Sequence, residues 1–166
     1  MNNSEVIKAL KELREDLTAS LNEVFDKLLD SINNMSENDK TLIDFVYPLS
    51  AMPELFIGKK PTAVISGMER VEVKTWRGVF TEILTHCNAE TVYHEKLMFL
   101  RNKVLGKVRV LVSDKPDGMK RPLKLEDDLF FETHLGTAEL IRILTNRILD
   151  EVGYDYSGIS VAIRDE

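Results

Sequence analysis

Apolar residues recur at heptad spacing in the first part of the chain, and this pattern most restricts how the chain can fold. A repeat of 3.5 residues keeps an apolar seam on one side of an α-helix and favours a coiled coil. No Pro or Gly interrupts residues 4–46, and Ser4 followed by Glu5 is a suitable helix start. The residues predicted to form the oligomerisation seam are Ile7, Leu10, Leu17, Leu21, Val24 and Leu28.

Two features of this seam leave undecided which surface packs against it. Arg14 occupies a seam position, where a charged side chain can set register or oligomer number at a cost in stability. Leu13, Phe25 and Ile32 widen the apolar stripe beyond a strict coiled-coil seam. We favour self-association of this helix, because its long acidic surface has little else in the chain to pack against. The alternative is an amphipathic helix packed on its own domain.

Prolines separate this segment from the rest of the chain. Residues 33–40 are polar and predict an end or interruption of the helix, and residues 41–47 predict a short helical turn. Pro48 and Pro53 each disfavour helical backbone in the preceding residue. The predicted organisation is a helical oligomerisation segment at 1–47, a linker at 48–53 and an α+β domain at 54–166.

Composition indicates an ordered protein of the cytoplasm. Apolar residues make up 43% of the chain and charged residues 30%, as in globular domains. No apolar run reaches the length of a membrane span, and residues 1–5 lack the pattern of a secretory signal. Cys87 is the single cysteine and has no disulfide partner within the chain, which fits a reducing compartment.

The rest of the chain alternates between strand and helix patterns. Residues 61–65 and 70–74 predict a hairpin around the turn 66–69, and Thr75 predicts the N-cap of a helix from Trp76. The later predicted elements are a helix at 89–104, a strand at 108–112, a turn at 114–118, an extended or hairpin segment at 123–134 and a strand at 159–163. Between the last two, Thr137 predicts the N-cap of a helix and Gly153 fits the C′ position at its end. This order predicts an α+β fold with a mostly antiparallel sheet and helices on one face.

A basic segment is the clearest functional signal. The chain has a net charge of −6, but residues 101–125 contain acidic side chains only at Asp114 and Asp117. Clustered Lys and Arg can follow a phosphate backbone. The alternative is an ordinary solvated face, which the acidic residues 126–128 favour. The predicted nucleic-acid-binding residues are Arg101, Lys103, Lys107, Arg109, Lys115, Lys120, Arg121 and Lys124.

Two further arrangements resemble catalytic or metal sites. Glu72 and Lys74 share one face of a predicted strand, as in metal-dependent nucleases, but no second acid is suitably placed. His86, Cys87 and His94 offer at most three metal ligands, fewer than a structural zinc site uses. The glycines form no phosphate-binding loop. We therefore predict no catalytic residue, metal or cofactor.

Three stretches of the body carry a resemblance to known proteins. They are Thr75–Arg77, Lys120–Leu125 and Phe131–Ala138. On the basis of these stretches, the domain resembles C-terminal modules of bacterial restriction and defence proteins over about 90 residues. Nearly the whole chain is similar to small proteins of Gram-positive phages and mobile elements that join a coiled coil to such a body. The resemblance implies a non-catalytic module that binds nucleic acid or another protein.

Together these patterns predict an oligomeric accessory or regulatory protein of a phage or mobile element that binds DNA, or a protein–DNA assembly, through the basic segment. One alternative is an inhibitor of a host defence protein, in which the acidic helix enters a basic channel. The other is a divalent-metal nuclease that uses Glu72 and Lys74.

Overall fold

A computed structural model describes residue 18, residues 21–27 and residues 44–164. The chain divides into two compact units, Met1–Ile43 and Asp44–Glu166. In the first unit residues 21–27 are helical, and Leu21 and Val24 are 57% and 55% exposed. The other predicted seam residues lie outside the described residues, so the coiled coil stays a prediction. They are Ile7, Leu10, Leu17 and Leu28.

The second unit is an α+β domain built from short antiparallel strands and helices. Its strands are β1 (Phe45–Pro48), β2 (Lys60–Ser66), β3 (Glu69–Glu72), β4 (Val112–Ser113), β5 (Pro122–Glu126), β6 (Leu129–Glu132) and β7 (Ile159–Arg164). Its helices are α1 (Trp76–Ala89), α2 (Thr91–Phe99), α3 (Thr137–Arg142) and α4 (Asp150–Val152), with a 3-10 turn at Pro53–Phe56 and a π-helical segment at Ile143–Leu149. Within the described residues, no helix is both long and apolar enough to cross a membrane.

The last strand lies in the middle of the larger sheet. This sheet has the order β1-β7-β2-β3, and β7 pairs antiparallel with both β1 and β2. Val161 and Ala162 are fully buried, and successive side chains of a strand point to opposite faces, so both faces of the central strand are covered here. The β2–β3 hairpin turns at Gly67, whose φ of +58° a glycine adopts without steric cost.

A second, three-stranded sheet carries the basic segment. Its order is β4-β6-β5, with antiparallel pairing throughout, so β6 is the central strand. Leu129 and Phe131 of β6 are fully buried. Complete burial of a side chain as large as phenylalanine contributes about 1.5–3 kcal/mol to the stability of the fold. Strand β6 is therefore well fixed, and so is its last residue, Glu132.

Helix α1 joins the two sheets through one hydrophobic core. It begins at its predicted cap, where the Oγ1 of Thr75 accepts a hydrogen bond from the N–H of Gly78 (3.0 Å). Its buried face includes Phe80, whose ring meets the edge of Phe131 at a centroid distance of 5.9 Å. The same core continues into the larger sheet through Val161.

The C-terminal helical region contains a wide turn. Segments α3, π and α4 follow one another directly from Thr137 to Val152. The Oγ1 of the buried Thr145 donates a hydrogen bond to the carbonyl of Ile141 (3.0 Å). The region ends at Gly153, which has a φ of +70° as its predicted C-terminal position requires. The predicted N-cap, Thr137, is instead the first helical residue after Gly136.

Sequence reasoning went wrong where pairing is long-range. Residues 45–47 form β1 rather than a helical turn, because they pair with β7 from the other end of the chain. The predicted linker at 48–53 also differs from the structure. In the structure the second unit already begins at Asp44. Leu49, within the predicted linker, is fully buried and donates its N–H to the carbonyl of Ile159 (2.9 Å), so these residues belong to the second unit.

The basic segment holds less regular structure than its pattern predicts. The predicted helix at 89–104 ends at Phe99, and the predicted strand at 108–112 is mostly loop. Only Val112 and Ser113 pair with β6, and Leu105 makes a single bridge to Val110. Val108 is 86% exposed, so the alternation of apolar residues there does not mark a buried strand face.

Candidate nucleic-acid interface

A buried carboxylate at the end of β6 gathers residues from three separate parts of the chain. Glu132 is 1% exposed. Its Oε2 accepts hydrogen bonds from Nη1 of Arg109 (3.0 Å) and the backbone N–H of Lys120 (2.7 Å). Its Oε1 accepts hydrogen bonds from the backbone N–H groups of Arg121 (3.0 Å) and His134 (2.8 Å).

These four donors keep Glu132 charged in spite of its burial. Burial raises the pKa of the carboxyl, but the N–H groups of His134 and Lys120, the guanidinium of Arg109 and the N–H of Arg121 outweigh it and lower the pKa from 4.5 to about 2. A buried carboxylate with four hydrogen bonds and a cationic partner is satisfied rather than strained. Glu132 is therefore a structural anchor of the basic segment.

Backbone contacts fix the loops around this anchor. The backbone N–H and the Oγ1 of Thr133 both donate to the carbonyl of Arg121, at 3.1 Å and 2.7 Å. The N–H of Leu111 donates to the carbonyl of Val104 (2.8 Å), which closes the loop that contains Lys107. The side chains of Lys107 and Arg121 thus project from loops whose backbone is fixed by these hydrogen bonds.

Beside the anchor lies an open groove of about 640 Å³, which we call the central groove. One wall is the loop 105–111, and the other runs from His134 to Arg147 in the π-helical segment. Lys107 and Arg147 are exposed cations in this groove, and Arg147 donates to the carbonyl of Leu105 at 3.5 Å. A flexible anionic chain could lie between these two walls.

Two further grooves adjoin the central groove. The first, about 310 Å³ and here called the Arg121 groove, shares His134 and Leu135 with it. The second, about 530 Å³ and here called the Phe99 groove, shares Arg147 with it and also contains Lys103. The shared residues show that the three grooves are contiguous on one part of the surface.

The charge in these grooves is positive but not uniformly so. Arg109 lines the central groove, yet its charge is balanced by Glu132. Glu139 also lines the central groove and pairs with Arg142 (2.7 Å). Lys96 also lines the Phe99 groove, but its Nζ donates to the carbonyl of Val152 (2.8 Å) and lies over the ring of Tyr93. The other exposed cations that face these grooves without an ion pair among residues 44–164 are Lys103, Lys107, Arg121 and Arg147.

The structure separates the eight predicted binding residues into three groups. Lys103, Lys107 and Arg121 line the grooves as exposed cations. Lys115 and Lys120 are exposed but line none of the three. The remaining three form ion pairs: Arg101 with Asp128, Arg109 with Glu132, and Lys124 with Asp127.

Sequence reasoning missed three residues of this surface. Arg147 lies in the C-terminal helical region, well beyond the basic segment, and folding brings it to the central groove. His134 joins two grooves, although the sequence offered it only as a distant metal ligand and as part of the stretch Phe131–Ala138. Phe99 is the last residue of α2 and is 70% exposed. The sequence predicted a helix that continues to residue 104, and this gave no reason to expect an exposed ring at Phe99.

The carboxylates near Glu72 do not form the open metal site that a nuclease needs. Glu72 is exposed at the end of β3 and pairs with Nε of Arg70 (3.0 Å). The Nη2 of Arg70 also pairs with Asp44 (2.9 Å), so an arginine bridges the two carboxylates where a cation would need space. Among the described residues no group of three His, Cys, Asp or Glu side chains could hold a metal ion.

The histidines and the cysteine take separate roles. The Nε2 of His86 lies 3.0 Å from Glu82, one turn earlier in α1. The Nδ1 of His94 lies 3.0 Å from Oδ1 of Asn88, whose amide donates to Glu126 (2.6 Å). These contacts link α1, α2 and β5, which is a structural function.

We expect Cys87 to be unreactive in the folded protein. It is fully buried, and burial, with a smaller contribution from Glu90, raises the pKa of its thiol from 9.0 to about 12. The thiolate is the reactive form. Iodoacetamide at about pH 8 should leave the native protein unmodified by mass spectrometry and alkylate it fully in urea. Equal rates in both conditions would contradict this expectation.

Comparison with protein-family models, with curated proteins and with solved structures finds no match to this chain. The fold class and the groove geometry are therefore the observations from which a function can be argued.

Proposed function

We propose that the second unit binds the phosphate backbone of DNA through the exposed cations of its grooves, as a non-catalytic accessory protein of a phage or mobile element. The observation that carries this proposal is the anchor at Glu132. One buried carboxylate holds two stretches of the basic segment, at Arg109 and at Lys120–Arg121, beside a groove that already contains Lys107 and Arg147.

The placement of the acids supports a binding surface over an ordinary solvated face. Acidic residues pair with basic residues at the margins of the segment, as in Arg101 with Asp128 and Lys124 with Asp127. Inside the grooves, Lys103, Lys107, Arg121 and Arg147 have no such partner in the described part of the chain, and Arg109 alone is paired, with the anchor Glu132. Unpaired cations along a concave surface raise the local concentration of an anionic ligand.

The energetics of phosphate binding suit a surface of this kind. Each phosphate that a Lys or Arg neutralises releases a condensed counterion, and the gain does not depend on base sequence. Four groove cations give one copy of the second unit a modest affinity for DNA. Self-association through the predicted N-terminal helix would repeat the surface and raise the overall affinity by avidity. The resemblance to phage and mobile-element proteins that join a coiled coil to such a body supports this assembly.

Salt-dependent DNA binding tests the proposal directly. In fluorescence anisotropy with a labelled duplex, log Kd should rise linearly with log salt, with a slope of about 3 to 4 if three or four phosphates are contacted. A duplex in which methylphosphonates replace the phosphates serves as the uncharged control and should not bind. No binding at low salt to either the charged duplex or a charged single strand would overturn the proposal and direct attention to a protein partner.

A further inference from the structure

Exposed apolar side chains lie among the groove cations. Phe99 is 70% exposed and lines the Phe99 groove, while Leu105 (55%) and Val108 (86%) line the central groove. Single exposed apolar side chains are common on protein surfaces, but apolar side chains gathered in adjoining grooves and rimmed by polar residues mark an interaction surface. A ligand for these grooves therefore needs apolar faces as well as negative charge.

A cation lies beside the exposed aromatic ring. The Nζ of Lys103 is positioned over the ring of Phe99, and Arg147 lines the same groove. An exposed cation–π contact is weaker than the stacking of a nucleobase on an aromatic ring. A base can therefore displace the lysine from the ring, and the freed ammonium is then placed to meet the adjoining phosphate.

We propose that these grooves bind single-stranded nucleic acid, with a base stacked on Phe99 and the backbone passing Arg147 and Lys107 toward Arg121. This inference rests on the proposed phosphate binding and specifies the kind of strand. Bases in a duplex are stacked on each other and present only their edges, so they cannot cover an exposed ring. An unpaired strand offers both the base faces and the phosphates that the three contiguous grooves require.

The acids of the Phe99 groove agree with this orientation. Glu95 and Glu151 line the groove together with Phe99 and Lys103. Carboxylates repel phosphates, whereas the N–H and amino groups of bases can donate hydrogen bonds to a carboxylate. The bases thus face the acids and Phe99, and the phosphates follow the cations Arg147 and Lys107.

Binding of three probes of equal length to the full chain tests the inference. The probes are oligothymidine, the corresponding duplex and an abasic phosphodeoxyribose strand, which keeps the phosphates and lacks the bases. We expect oligothymidine to bind about 10-fold more tightly than the abasic strand, the effect of stacking one base. The variant Phe99→Ala should remove that advantage, and Phe99→Trp should keep it.

A matched substitution controls for the loss of any exposed ring. Phe45 is 49% exposed on the edge strand β1 and lines none of the three grooves, so Phe45→Ala should leave all three affinities unchanged. Equal binding of oligothymidine and the abasic strand, or an advantage that survives in Phe99→Ala, would overturn the single-strand inference while phosphate binding stands. Failure of all three probes to bind at low salt would instead overturn the proposed function.

Discussion

Replacement of Glu132 by glutamine is expected to lower the free energy of unfolding by roughly 3–5 kcal/mol, the usual cost of breaking a buried charge pair by removing one partner. The neutral amide leaves the guanidinium of Arg109 without its counter-charge. Its NH₂ group also faces N–H donors where the wild-type oxygen accepts from them. Urea denaturation followed by circular dichroism measures the difference.

The same substitution at an exposed carboxylate provides the control. Glu69 begins β3 at the hairpin turn, is exposed and forms no ion pair among the described residues. Glu69→Gln should change the free energy of unfolding by less than about 0.5 kcal/mol. If Glu132→Gln cost no more than this control, Glu132 would not be the anchor of the basic segment.

The pH dependence of stability gives a second readout of Glu132. The carboxyl has its pKa lowered from 4.5 in the unfolded chain to about 2 in the fold. Its contribution is therefore fully present above pH 4.5 and is lost as pH falls toward 2, which amounts to about 3 kcal/mol over that window. Glu132→Gln should flatten this part of the stability–pH curve, whereas Glu69→Gln should retain the wild-type shape.

Local chemistry made much of the fold predictable. Thr75 caps α1 with its own hydroxyl, and Gly67 and Gly153 adopt the positive φ angles that their turns require. Each of these features depends on residues within a few positions along the chain. The α+β class and the two hairpins follow from such signals, and the structure confirms them.

Several of the missed features depend on contacts between distant residues. The strand β1 is apolar and follows a polar stretch, so only its partner β7, over a hundred residues later, distinguishes it from a helical turn. Clustering of Lys and Arg located the basic segment, but it could not show that Arg109 is neutralised by Glu132. It also could not show that Arg147 lines the central groove. Which cations are available to a ligand is therefore a property of the fold.

This distinction gives a sharp test of the interface. The groove variant Lys107→Glu, Arg121→Glu, Arg147→Glu reverses three exposed cations that line the grooves. The segment variant Lys115→Glu, Lys120→Glu, Lys124→Glu makes the same charge change at three exposed lysines that line none of them. Both sets lie on the protein surface, so both variants should melt within a few degrees of the wild type (roughly 4 °C).

We expect the groove variant to lose at least about 100-fold in DNA affinity at low salt and to lower the salt slope by about 3, since three phosphate contacts become repulsive. The segment variant should lose far less and keep most of the slope. Anisotropy titrations across a salt series compare the two. Equal losses would mean that DNA responds to overall charge and recognises no groove. A larger loss in the segment variant would place the interface on Lys115, Lys120 and Lys124, as clustering in the sequence alone suggests.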